Sequence, residues 1–141
     1  MKTRGIVTGV MLIFCLGAVL TGCATVKRAY VPSEDEELYG AWYNAENDET
    51  VFYRPDCTFE DYFGKSKFPR WYGTFTISDK WADGEGDIWY RTVLENQVGA
   101  TRYMLNRIDH SEGVLETVYY SNDYPVDLDP SLMSYRIFER R

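Results

Sequence analysis

The stretch RWYGTFTI, residues 70–77, decides the fold. Trp71, Gly73, Phe75 and Ile77 fall on one side of an extended chain, and Arg70, Tyr72, Thr74 and Thr76 on the other. Successive side chains of a strand point to opposite faces, so this alternation predicts a strand buried on one face only. A helix would space its apolar residues three and four apart.

The same rhythm continues on both sides. Strand-like runs at 38–45, 50–53 and 57–63 precede it, and others at 88–95, 101–108, 114–121 and 134–139 follow. Turn-forming residues separate them: the Asn/Asp/Glu cluster at 44–49, Arg54-Pro55-Asp56, the acidic loop 79–87, and the stretches 96–99, 109–113 and 123–131. No segment holds a 3.6-residue period for long, so the pattern predicts an all-β meander of eight strands. An open meander exposes two unpaired edges. Closure into a small eight-stranded up-and-down antiparallel barrel removes them, with an open sandwich as the alternative. Aromatic residues make up 16 % of the chain, enough bulk to fill so narrow an interior.

The N-terminus reads differently. Lys2 and Arg4 precede a mostly apolar run over residues 6–20, which is shorter than the roughly 20 residues a spanning helix needs. A basic start, an apolar centre and small residues before a cut site form the plan of a secretory signal. The run ends in LTGC, residues 20–23, which resembles the lipobox of bacterial lipoproteins. That resemblance implies diacylglyceryl transfer to the thiol of Cys23, cleavage before it, and acylation of the new amine. Several acyl chains anchor firmly, at about 0.8 kcal/mol per buried CH₂. The expected organisation is a signal peptide at 1–22, a lipidated Cys23 with a flexible acidic tether at 23–37, and a barrel domain at 38–141. In Gram-negative members of that family an Asp after the cysteine favours inner-membrane retention, so the resemblance implies that Ala24 directs the protein to the outer membrane if the host is Gram-negative.

The tether contains Ser33-Glu34-Asp35-Glu36-Glu37, a charged run with no apolar partners of its own. As a flexible chain it would span about 20 Å. Ser33-x-x-Glu36 also fits a capping box, so a helical turn at 34–38 is compatible with it.

Gly40-Ala41-Trp42 is similar to the Gly-x-Trp motif that opens lipocalins and lipocalin-like barrels. The segment Pro55-Asp56-Cys57-Thr58-Phe59 resembles the P-D-G-T-F hairpin of bacterial lipocalin-like domains, with Cys57 where Gly is usual. Trp71-Tyr72-Gly73-Thr74-Phe75 resembles their W-x-G-T-Y phrase. The second lipocalin motif, Thr-Asp-Tyr, and a C-terminal helix are not legible, so the resemblance is to lipocalin-like barrels rather than lipocalins proper. It implies that Trp42 packs across a closed barrel end, that Gly40 permits close approach, and that Arg136 or Arg140 from the last strand covers the indole.

The formal net charge of −7 disfavours a nucleic-acid partner, whose phosphates need a basic surface. Of three cysteines, Cys15 lies in the signal and Cys23 carries lipid, which leaves Cys57 alone and inert as a turn or strand residue. The single histidine, His110, sits between Asp109 and Ser111, but sequence neighbours rarely converge as a triad, so 109–113 reads as a solvated turn. The acidic loop 79–87 resembles a calcium loop poorly, because Trp81 and Tyr90 occupy ligand positions. Neither a metal site nor a cofactor is expected.

Tyr53, Tyr62, Tyr72, Trp89, Tyr90, Tyr103, Tyr119 and Tyr120 are candidates to line an interior pocket. Arg91, Arg102 and Arg107 are candidates for a buried counter-charge, with a solvated strand face as the alternative for each. No nucleophile–base pair or phosphate loop is legible, which argues against an enzyme. The reading is a membrane-anchored envelope lipoprotein whose lipocalin-like barrel takes a small apolar or amphipathic ligand. The alternative is an assembly lipoprotein with a filled barrel that meets another envelope protein.

Overall fold

A computed structural model describes residues 30–141. The signal segment, Cys23 and the first part of the tether lie outside the described residues. The strands are β1 (Gly40–Asn44), β2 (Glu49–Tyr53), β3 (Thr58–Phe63), β4 (Trp71–Ala82), β5 (Ile88–Asn96), β6 (Thr101–Asp109), β7 (Val114–Tyr120) and β8 (Arg136–Arg140). Each pairs antiparallel with its neighbours in sequence, and the eight close into a barrel. The seam is short: Trp42 pairs with Arg140 and Tyr43 with Glu139. Beyond it, Arg141 N–H donates to the Ala41 carbonyl at 3.0 Å.

The alternation in β4 has the expected phase, with Phe75 and Ile77 buried and Thr74 and Thr76 exposed. The strand runs further than the sequence pattern indicates because a bulge interrupts the register between Ile77 and Asp79. An extra residue shifts the period by one, so Lys80 turns inward opposite Tyr90 while Trp81 and Trp89 stack outside, 5.8 Å apart. That shift hides the second half of the strand from a period-two reading.

One barrel end is floored. Leu38 is fully buried, and Trp42 Nε1 donates to its carbonyl at 2.8 Å. Residues 33–37 are not a uniformly solvated run. One half of a capping box forms without a helix: Ser33 N–H and Oγ both donate to the Glu36 carboxylate, at 3.0 and 3.2 Å. The Glu36 carboxylate is buried beneath the barrel, where it also accepts from Lys80 Nζ at 2.6 Å, Tyr90 Oη at 3.1 Å and the Tyr30 hydroxyl. Burial alone would raise its pKa, but the bonds from Lys80, Tyr30 and Ser33 outweigh that and lower it to about 2.

The long connection over 121–135 wraps the outside. Leu105 and Val118 pair in register on the face opposite Asn106 and Thr117, yet both are buried, as is Pro125. Tyr124 fastens this segment, hydrogen-bonded to Ser78 Oγ at 2.6 Å and edge-on to Tyr103 at 5.2 Å. The other end of the barrel, bounded by 45–48, 64–70, 97–100 and this long connection, carries the cavity described next.

Candidate functional site

A cavity of about 160 Å³ occupies the upper barrel. Alternation puts every second residue of a strand on the inner face, and here each inward pair grades from polar to apolar going down. Glu49 lies above Val51 on β2, Asp61 above Phe59 on β3, Arg102 above Met104 on β6, Thr117 above Leu115 on β7, and Arg136 above Phe138 on β8. The result is an apolar floor under a charged collar.

Within the collar, Arg70 bridges two buried carboxylates. Its Nη2 lies 2.6 Å from Glu49 Oε1 and 2.7 Å from Asp61 Oδ2. Arg136 Nε stands 3.7 Å from Glu49 Oε2. Burial pushes the pKa of Glu49 up, and the Asp61 charge adds to this, while Arg70 and Arg136 oppose it. Asp61 Oδ1 is buried without a hydrogen-bond partner. A proton on Glu49 would relieve the repulsion between the two carboxylates.

Arg102 is held differently. Its Cζ lies 3.9 Å from the Trp71 ring centre and 4.5 Å from that of Tyr119. Among the described residues no carboxylate forms an ion pair with it. Tyr53 is also buried in the wall, and its hydroxyl meets only the thioether of Met104 at 3.8 Å. Burial raises its pKa, as do the charges of Asp61 and Glu49, so the group remains a proton donor.

Of the expected lining residues, Tyr53 and Tyr119 line the cavity. Tyr90 does not: it lies at the floored end, bonded to Glu36. Tyr62, Tyr72 and Tyr103 do not either, because their strands place Asp61, Gly73 and Met104 inward and so turn these rings outward. Tyr62 packs edge-on against Phe52 and donates to Glu60 at 2.9 Å, Tyr72 is exposed, and Tyr103 meets Tyr124. Trp89 stacks outside on Trp81, and Tyr120 is exposed.

Arg140 covers Trp42, its Cζ 4.7 Å from the ring centre, and donates to the Glu37 carbonyl. Arg136 does not share this role, since it sits in the collar at the other end of β8. Gly40 is needed for its φ of +133° rather than for close approach, because nothing lies within 4 Å of an added Cβ. Arg107 pairs with Glu116 and Arg91 stacks on Trp81, both outside.

Asp83 shapes the acidic loop by accepting from Glu85 N–H, Asp87 N–H and Trp89 Nε1, at 2.9, 3.1 and 2.7 Å. His110 bridges Glu37 at 2.6 Å and the Gly86 carbonyl at 3.0 Å, and the Glu37 bond raises its pKa. No group of three or more His, Cys, Asp or Glu side chains arranged for a metal occurs among the described residues.

Sequence reasoning missed Glu49, Asp61, Arg70 and Arg136 as cavity groups. For Glu49, Asp61 and Arg136 the available signal was placement two residues from an inward apolar side chain, as in Glu49-x-Val51 and Phe59-x-Asp61, whereas Arg70 has only the exposed Phe68 and Tyr72 at that spacing. Compared with known proteins, the chain matches no family model, no curated protein and no solved structure.

Proposed function

We propose that this chain is a lipid-anchored envelope protein whose barrel binds a small amphipathic molecule through its open end. The cavity with its apolar floor and charged collar carries the reading. A site that grades from polar mouth to apolar base suits a ligand built the same way. Its volume is close to the roughly 150 Å³ that accommodates a benzene-sized guest, so the apolar part of the ligand is small. The lipobox-like LTGC at 20–23 supports the anchor.

Native mass spectrometry of the protein extracted from cells tests the binding. Retention of a small-molecule adduct supports it. Absence of any adduct, together with no response to single-ring probes, removes it. Labelled palmitate tests the anchor: incorporation that disappears in Cys23→Ser supports it, and an unlabelled protein refutes it.

A specific observation also favours the protein-contact reading. Phe68, Val98 and Met133 are 81 %, 87 % and 93 % exposed, and all three lie on connections at the open end. Three exposed apolar groups on connections of the same end would suit a contact surface. Crosslinking in intact cells through residue 68 would capture one reproducible envelope protein if the rim docks there.

A further inference from the structure

The charged collar distinguishes among possible head groups. Arg70 is engaged by Asp61 and Glu49, and Arg136 faces Glu49. Arg102 lacks an acidic partner among the described residues and contacts rings instead. Rings lying over a guanidinium contact its face and leave the in-plane N–H groups unused. The Arg102 nitrogens are not buried, so these donors are accessible on a residue that lines the cavity.

Tyr53 provides a second, independent observation. It is 3 % exposed, lines the same cavity, and offers its hydroxyl only a weak sulfur acceptor at 3.8 Å. A buried O–H with so poor a partner gains from any oxygen that reaches it. The two strong acceptors nearby, Glu49 and Asp61, are already bound to Arg70. Asp61 Oδ1 is one unpaired acceptor in the wall. Against it stand the Arg102 fork and the Tyr53 hydroxyl, and the lining arginines, Arg70, Arg102 and Arg136, outnumber the carboxylates Glu49 and Asp61, so the balance of the cavity favours an acceptor of negative charge.

We propose that the cavity takes a small monocarboxylate. Its carboxylate sits on the in-plane fork of Arg102, and its compact apolar body rests on Phe59, Leu94 and Met104. The Tyr53 hydroxyl offers a deeper donor to an oxygen on that body. A planar acid matches a stacked guanidinium better than a tetrahedral anion does, because two parallel N–H···O bonds form in one plane. The wall volume limits the body to about one ring or a short chain. This inference rests on the reading of the cavity as a ligand site, and the experiment separates the two.

The probes are benzoate, benzyl alcohol and benzylammonium, which share one ring and differ in head group. Binding to the mature protein is followed by NMR, using the Trp71 indole N–H and the Arg102 Nε–H signals. Benzoate should bind about tenfold or more tightly than the alcohol, and the ammonium most weakly, since a charge-assisted pair is the difference. In Arg102→Gln the advantage of benzoate over the alcohol should vanish. Arg102→Lys, which keeps charge but not the fork, should retain only part of it.

Equal binding of acid and alcohol, or preference for the ammonium, overturns the carboxylate while leaving the cavity a ligand site. No response to any of the three probes overturns the ligand site itself. The wild-type probe series decides the question even if an Arg102 variant is unstable.

Discussion

Gly73 lies so close to Glu95 that a Cβ added to it would stand 2.0 Å from the Glu95 carbonyl oxygen. The residue is paired with Phe59 on β3 and Asn96 on β5, where three strands meet at the open end. The obstruction is backbone, which cannot rotate away as a side chain can. Gly73→Ala should therefore destabilise the barrel by about 3 kcal/mol, the upper part of the usual overpacking range. Urea unfolding of the two proteins checks this. An unchanged midpoint would show that β5 does not approach β4 so closely.

Cys57 shows the opposite relation between residue and backbone. Its φ is +64°, in the left-handed region, and its N–H donates to the Arg54 carbonyl at 3.0 Å in the β2–β3 hairpin. A type I turn followed by a left-handed residue favours Gly at that position. The conformation costs a non-Gly residue about 1–2 kcal/mol, and Gly gives back about 0.4–1 of that through a freer unfolded chain. Cys57→Gly should thus stabilise by about 0.5–1 kcal/mol. Cys57→Ala keeps the strain and should gain nothing, so comparing the two separates backbone from thiol.

Glu36 sets an acid limit on stability. Its carboxyl is held at about 2 in the fold against an ordinary 4.5. A lowered carboxylate pKa contributes stability that is complete above 4.5 and is lost as pH falls from there towards 2. The side chain is fully buried against a Lys80 that is 27 % exposed, so solvent screening trims the contribution to about 2–3 kcal/mol. Melting temperature should fall over that window. Glu36→Gln should start lower at pH 7 and show a flatter acid limb. An identical limb in both proteins would assign the acid loss to other carboxylates.

The architecture was legible because it depends on period-two burial, which RWYGTFTI displays without interruption. Closure was legible because a short meander has few other ways to hide its edges. The site was only half legible, for two physical reasons. Tyr is indifferent to face, since one end of it is apolar and the other polar. Tyr53 and Tyr119 therefore could not be told from Tyr62 and Tyr103 without fixing each strand's phase. A charged residue on a strand is solvated by default, whereas Asp61 and Glu49 are buried because Arg70, from outside the regular strand, reaches back to both. That compensation links residues 21 and 9 apart in sequence, and no local pattern announces it. The burial of Glu36 is illegible for the same reason, its partner Lys80 being 44 residues distant and turned inward by a bulge.

The two arginines of β8 offer a final discrimination. Arg140 stacks on Trp42 and Arg136 belongs to the collar, about 13 Å further along the strand at the usual rise per residue. Trp42 is almost wholly buried and bonds the Leu38 carbonyl, so Trp42→Phe should cost about 1–3 kcal/mol by stranding that acceptor. A double-mutant cycle of Trp42→Phe with Arg140→Ala should give a coupling of about 0.5–1 kcal/mol, the worth of a partly exposed cation–π contact. The same cycle with Arg136→Ala should be additive within about 0.3–0.5 kcal/mol, as for sites with no shared partner. Measurable coupling of Trp42 to Arg136, and none to Arg140, would reverse the assignment of which arginine closes the barrel.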